Sequence, residues 1–367
     1  MSNLEVGALC ELALQGLVPM FETKQQLFCF TRKRTPKGLV RQGLSPRYTI
    51  ITLLGLRKAE VAGLSSPIDI GPVLGRLLQN TAWINNLGDL GLLVWLCALE
   101  SPDRAKEVQS RLIDKGTLER FREPHEGRTT ELAWFLSGLA HAALAMPPQG
   151  PDLRELASRI YGVLCQNQGK TGIFRHLGMR TLSGVSRGRL GCFADQAYPI
   201  YALTQFARAF NVPAALQMAR SCAEAICRLQ GPQGQWWWHY DSTTGTVLGR
   251  YPVYSVHQHG MAPLALFAVA DALRADFTTP IYRGLQWIAA QNELGRELRD
   301  QSASIIWRCI QHGNKFKENV RKISSLCGWG GVGQDVEDLE VNYECRPYEL
   351  GWLLYAFAGR SRTSTAL

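Results

Sequence analysis

The 367-residue sequence has no CxxC pair, no apolar run of membrane-spanning length and no basic-headed apolar leader. Its ten cysteines are dispersed, and Cys97 and Cys165 sit inside apolar helical runs, which predicts reduced, buried thiols and no disulfide or zinc framework. The opening MSNLEVGALCELALQGL carries acid where a secretory leader carries base, so the expected location is the cytoplasm with no membrane span. Zinc-finger spacing and aromatic-interleaved basic motifs are also missing. The net charge of +9, scattered apart from clusters at Arg32 to Lys37 and Lys315 to Lys322, therefore predicts a basic surface that attracts anions, with no nucleic-acid partner.

What is abundant is apolar helix. With 46% apolar residues the chain can bury a large core. An amphipathic helix is expected near Leu4 to Phe21 and a hairpin over Phe28 to Val40. Ser45 then reads as an N-cap and Pro46 as a first helical residue, ahead of a helix apolar nearly all round. Five later segments repeat this design: LGDLGLLVWLCAL, TTELAWFLSGLAHA, FADQAYPIYALTQFA, HQHGMAPLALFAVADA and CRPYELGWLLYAFAG. Aligned on one polar head each, the six place Arg47, Asp89, Glu131, Asp195, His259 and Glu349 at equivalent positions. Charge-bearing amphipathic helices near 67–80, 103–116, 152–168, 213–230 and 279–292, together with the first helix, supply a partner for each.

Six buried helices interleaved with six half-exposed ones predict an all-α fold. The expected architecture is one (α/α)6 toroid domain over 1–367, six helical hairpins in an inner and an outer ring, with short β-hairpins in loops at one mouth. Parallel inner helices would gather six heads and their unpaired N–H groups at that mouth, which favours an anionic or polyhydroxylated ligand. The heads lie 42, 42, 64, 64 and 90 residues apart, so the longer loops precede the later heads.

Asp89, Glu131 and Asp195 each precede an apolar run, where desolvation raises and a helix N-terminus lowers a carboxyl pKa. Two carboxylates held in different environments make a general acid and base; helix capping is the alternative. His257 and His259 are candidate acid, base or hydroxyl ligands, with His176 and His239 on neighbouring loops. The HxH pair has no matched third ligand, so no metal and no cofactor is expected. Trp236, Trp237, Trp238, Tyr240, Tyr251 and Tyr254 form a candidate sugar-stacking platform, and three consecutive tryptophans on one strand cannot all point inward. Arg346 and Arg47 are candidate anion clamps, with Tyr343, Tyr348 and Glu349 beside Arg346; salt bridges among these heads are the alternative.

The repeat resembles the six-hairpin toroid proteins that act on carbohydrates: unsaturated glucuronyl hydrolases, polysaccharide lyases, sugar epimerases and the helical domain of uronyl C5-epimerases. QHGMAPLALFAVADA is similar to an inner helix of those epimerases, and this resemblance implies roles for Tyr240, Tyr254, Tyr343 and Glu344. The β-rich portion of the epimerases has no counterpart. A second resemblance is to terpene cyclase and prenyltransferase toroids: Gln168, Gly172 and Phe174, then Gln230, Gly234 and Trp236, keep their Gln/Trp spacing, and Asp335 to Asp338 resemble an acidic DxDD motif with Glu337 in place of one acid. The resulting expectation is a carbohydrate-active hydrolase, lyase or epimerase taking an acidic saccharide. The alternatives are a terpene cyclase-like enzyme and a non-catalytic toroid that binds a partner in polysaccharide biosynthesis.

Overall fold

The computed structural model describes residues 3–113, 116–121, 128–146, 151–177, 188–313 and 338–360. Its main helices are α1 (Asn3–Leu17), α2 (Pro46–Val61), α3 (Ile70–Gln79), α4 (Leu87–Glu100), α5 (Pro102–Leu112), α6 (Thr129–Ala145), α7 (Pro151–Asn167), α8 (Ala194–Phe210), α9 (Pro213–Arg228), α10 (Ala262–Leu273), α11 (Thr278–Ile288) and α12 (Pro347–Phe357). A single π-turn, His257–Met261, leads into α10. Ser45 caps α2 as expected, its hydroxyl accepting from the Tyr48 N–H at 3.2 Å.

The even-numbered helices contact one another in a closed order, α2 on α4, α4 on α6, α6 on α8, α8 on α10, α10 on α12 and α12 on α2. Each also packs against an odd-numbered helix, α3, α5, α7, α9, α11 and, for α12, α1. The result is an α/α toroid, with the all-round apolar helices inside and the amphipathic ones outside, because only the former have no face left for water. Trp95, Trp352, Phe135 and Phe206 fill the inner ring and are fully buried.

Glycine sets the closest inner contacts. A Cβ on Gly55 would lie 2.1 Å from the Gly351 carbonyl oxygen, and one on Gly138 would lie 2.3 Å from that of Gly91. Backbones therefore touch where α2 meets α12 and where α4 meets α6. Gly91→Ala should cost about 1–3 kcal/mol through overpacking against backbone. Gly75→Ala on α3, whose Cβ would meet nothing within 4 Å, should leave stability equal or higher. Urea denaturation of the pair checks this.

Small antiparallel sheets decorate the ring. β1 (Phe21–Glu22), β2 (Leu27–Thr35) and β3 (Gly38–Leu44) precede α2, matching the expected hairpin. β4 (Leu190–Cys192) pairs with β5 (His239–Asp241), which pairs with β6 (Val247–Gly249). β7 (Val253–Tyr254) pairs with β10 (Cys309–His312), and β10 with β11 (Leu339–Asn342). β8 (Arg299–Asp300) pairs with β9 (Ile305–Ile306), and β12 (Glu344–Cys345) returns to β2. The nine described cysteines are all free thiols. Among the described residues no helix is long and apolar enough to cross a membrane.

Candidate active site at the helix heads

Arg47, Asp89, Glu131, Asp195 and Glu349 all lie in the first turn of an inner helix. Three of the carboxylates do two jobs at once. One oxygen of each reaches back to a backbone N–H just before the helix: Asp89 to Asn85 at 3.1 Å, Asp195 to Cys192 at 2.8 Å and Glu349 to Arg346 at 3.1 Å. For Glu349 this is a capping box, and for Asp89 and Asp195 the bonded N–H belongs to the residue before the N-cap. The second oxygen meets a side chain from elsewhere: Arg47 at 2.5 Å for Asp89, the Thr130 hydroxyl at 2.9 Å for Asp195 and Arg308 at 2.7 Å for Glu349. Each of these carboxylates therefore both anchors the chain entering its helix and binds a side chain from a neighbouring segment.

Glu131 differs. Among the described residues neither of its oxygens has a hydrogen bond, and its nearest charge partner is Arg128 at 3.8 Å. Its side chain is 15% exposed. Burial pushes its pKa above the ordinary glutamate value, Asp89 adds to that, and Arg128 and Arg47 oppose it. The α4–α6 contact brings it close to Asp89: a Cβ on Gly88, the residue before Asp89, would stand 3.0 Å from the Glu131 Cα.

Asp195 is fully buried. Burial pushes its carboxyl up, but His176 and the thiol and N–H of Cys192 outweigh that and hold it below the usual value. The His176 Nδ1 lies 2.9 Å from Asp195 Oδ2. That hydrogen bond raises the His176 pKa against the effect of burial. His176, Cys192 and Asp195 form the one His/Cys/Asp/Glu group among the described residues with metal-ligand proximity, their ligating atoms within 4.8 Å. The 2.9 Å contact is a hydrogen-bond distance, shorter than the roughly 3.3 Å between ligands of a tetrahedral zinc. The donor set thus fits a hydrogen-bonded cluster.

A repeat of 62 residues positions these side chains. Gln168 ties the end of α7 to the Gly172 and Met218 carbonyls, and Gln230 ties the end of α9 to those of Gly234 and Pro280. Gly172 and Gly234, at φ +89° and +94°, make the turns that these ties close. The N–H of Phe174 then donates to Gln196, and that of Trp236 to Gln258. The Gln/Trp spacing is therefore a staple between neighbouring helices, with no cyclase chemistry required. It also corrects the register of the fifth head. With Gln196 equivalent to Gln258, the partner of Asp195 is His257, two residues before the expected His259, and the π-turn absorbs the offset.

The same repeat makes His176 and Trp238 equivalent and adds Arg308, which sequence reasoning missed. The carbonyls of His176, Trp238 and Arg308 accept from Thr129, Phe193 and Ser255, each at the start of the preceding inner segment. Their side chains meet the head of their own helix: His176 bonds Asp195, Trp238 stacks on His257 at 5.8 Å and Arg308 pairs with Glu349. The 62-residue separation of His176 and Trp238 was available in the sequence; that of Arg308 was not, because its loop is longer.

The remaining expected residues separate into two groups. Trp238, His239, Tyr254, Arg346 and Tyr348 stay partly exposed. Trp236, Trp237 and Tyr240 are buried, which corrects their reading as a stacking platform. The tryptophans precede β5 in irregular backbone, so strand alternation does not govern them, and Trp236 and Tyr240 pack on Phe193. His257 and His259 are buried and held down to about 3 by desolvation, so they are neutral core groups and not mouth acids. Arg47 is engaged by Asp89, and Arg346 lies over the Phe30 ring at 4.4 Å and donates to the Tyr48 hydroxyl at 2.8 Å. Tyr343 packs edge-on against Trp307 under Arg34, and Glu344 pairs with Lys33 and Arg346. These last contacts are internal salt bridges and cation–π stacks of the β2–β12 region. Of the acidic DxDD-like stretch only Asp338 lies within the described residues.

Among solved structures the chain resembles a glycosyl hydrolase family 88 protein from Bacteroides vulgatus, with TM-score 0.60, 10% identity and 99% of both chains covered. It resembles a possible GH105 family member from Salmonella enterica serovar Paratyphi A with TM-score 0.61 and 10% identity, over 99% of this chain and 95% of that one. A mutant unsaturated glucuronyl hydrolase from Streptococcus agalactiae, complexed with dGlcA-GalNAc6S, gives TM-score 0.63 at 12% identity, over 98% of this chain and 92% of that one. The chain shares their fold. Unsaturated glucuronyl hydrolases are among the proteins whose repeat the sequence resembles, and the fold agrees with that resemblance. No protein-family model and no curated protein matches the sequence.

Proposed function

We propose that the chain is a hydrolase of acidic saccharides, with residues 1–367 forming one (α/α)6 domain whose substrate sits at the mouth where the inner helices begin. The observation that carries this reading is the contrast between neighbouring heads. Asp89 is salt-bridged to Arg47, whereas Glu131 is half-buried, raised in pKa and without a hydrogen bond among the described residues. Two carboxyl groups in environments of opposite character suit acid–base work on a glycosidic bond. Glu131 is the proton donor. Trp238 and Tyr254, partly exposed and 4.8 Å apart, supply a stacking face for a sugar ring. Helix N-termini and Arg128 favour an anionic group.

The fold likeness supports a glucuronyl-type substrate, since the similar solved structures carry names of that activity and one holds dGlcA-GalNAc6S. The reading places the chain in polysaccharide metabolism, with no nucleic-acid partner and a cytoplasmic site of action. Incubation with unsaturated and saturated uronyl disaccharides, beside neutral disaccharides, tests it. Cleavage of an acidic disaccharide with none of the neutral ones is expected. No turnover or binding of any acidic saccharide would overturn the reading.

A further inference from the structure

We propose that His176 is a second proton-transfer residue of this site, and that Asp195 holds its imidazole in the tautomer and direction the transfer needs. The substrate in this proposal rests on the acidic-saccharide reading; the His176–Asp195 dyad does not. Nδ1 of His176 donates to a carboxylate that is itself fully buried, while the His176 side chain is 35% exposed. The exposed edge of the ring therefore carries Nε2, with its lone pair free to accept.

The support behind the imidazole is rigid. Asp195 accepts from the Thr130 hydroxyl at 2.9 Å and from the Cys192 N–H at 2.8 Å, so it cannot swing away. The His176 N–H donates to the Leu190 carbonyl at 2.6 Å, and its own carbonyl accepts from the Thr129 N–H at 2.9 Å. Thr129 and Thr130 immediately precede Glu131, so the dyad is hydrogen-bonded to the first turn of α6, which carries the proposed acid. Among the described residues, the charged and titratable groups that face His176 are Asp195, Glu131, Cys192 and Arg128. Trp238 and Arg308 occupy the equivalent position in the next two repeats, and neither can exchange protons near neutral pH. The histidine is thus the member of this set suited to acid–base chemistry, with a buried carboxylate behind it as an orienting group.

In the hydrolytic step His176 Nε2 takes a proton from the attacking water while Glu131 gives one to the leaving glycosidic oxygen. The bond from carbon to that oxygen breaks and a bond from carbon to the water oxygen forms. The imidazolium is paired with Asp195, and its proton returns to Glu131 through solvent, so protons and electrons balance.

Nitrogen-15 NMR of the histidine rings in the full chain tests the dyad without any substrate. His176 should show the Nδ1–H tautomer, and Asp195→Asn should shift its titration downward. A titration identical in wild type and Asp195→Asn would overturn the dyad. With a cleaved disaccharide in hand, His176→Gln should lower kcat about 10²–10⁴-fold. His176→Gly should regain activity with added imidazole, which a structural role would not produce. An unchanged kcat in folded His176→Gln would overturn the proposal, as would activity lost to a chelator and restored by Zn²⁺, which would make the cluster a metal centre. Absence of any acidic-saccharide turnover would overturn the substrate reading alone and leave the dyad to the NMR result.

Discussion

Glu131→Gln should abolish most turnover of an acidic saccharide, by about 10²–10⁴-fold, while leaving the protein folded. Glutamine keeps the size of the side chain but cannot give a proton. Since no hydrogen bond to the Glu131 carboxyl occurs among the described residues, the amide breaks no contact that holds the fold together. The sign of the stability effect separates catalysis from structure. Burial raises the Glu131 pKa above that of the unfolded chain, so the folded state binds this proton more tightly and stability falls as pH rises through the folded value. The neutral amide removes that penalty. Glu131→Gln should therefore be at least as stable as wild type at neutral pH. The rate should follow the protonated form and fall as pH rises through a value higher than that of an ordinary glutamate. A variant that keeps wild-type kcat, or that loses activity only because it unfolds, would contradict this assignment; kcat, KM and urea denaturation measured together decide it.

Acidification from pH 6.5 to 5 should destabilise the fold by about 5 kcal/mol, enough to rival the whole stability of a domain. The cause is three desolvated histidines that take no part in the proposed proton transfer. His257 and His259 are fully buried and His141 is partly buried, and desolvation holds all three down to about 3. His141 sits in the ring interior, 2.8 Å from the Tyr201 hydroxyl and stacked on Trp95. The unfolded chain takes up protons on these groups near pH 6.5 and the folded chain does not. Their contribution is thus present above pH 6.5 and lost as pH falls towards 3, at about 1.4 kcal/mol per histidine per pH unit. His176 acts in the opposite sense. Raised by Asp195, it contributes stability below pH 6.5 that is lost as pH rises through its folded value, and it does not offset the loss between 6.5 and 5. Urea midpoints at pH 7, 6 and 5 measure the slope, and His141→Phe should reduce it by about a third. An unchanged slope in that variant would remove the buried histidines as its source.

The helices and their two classes were legible in the sequence because burial writes itself into local composition. An inner helix such as Leu87–Glu100 has no polar face, and an outer one such as Pro213–Arg228 alternates at helical period. Polar heads at Arg47, Asp89, Glu131, Asp195 and Glu349 could be read for the same reason, since each interrupts an otherwise apolar run. Less visible was anything fixed by contact between repeats. The fifth head was misaligned by two residues because a π-turn leaves no compositional trace, although the 62-residue spacing of Gln196 and Gln258 carried the correct register.

The stretch from Trp236 to Tyr240 marks the same boundary. Its aromatic richness predicts stacking, but whether a ring stacks on a sugar or on Phe193 depends on which neighbour the fold supplies. By itself the sequence determined the ring of helices and the polar heads at one mouth, because hydrophobic periodicity is a property of single segments. Only the tertiary structure decided which heads have partners. Arg47, Thr130 and Arg308 reach their carboxylates from 42, 65 and 41 residues away along the chain, and Glu131 is left without such a bond among the described residues. Pairing across that distance is set by backbone geometry between repeats, and no local pattern encodes it.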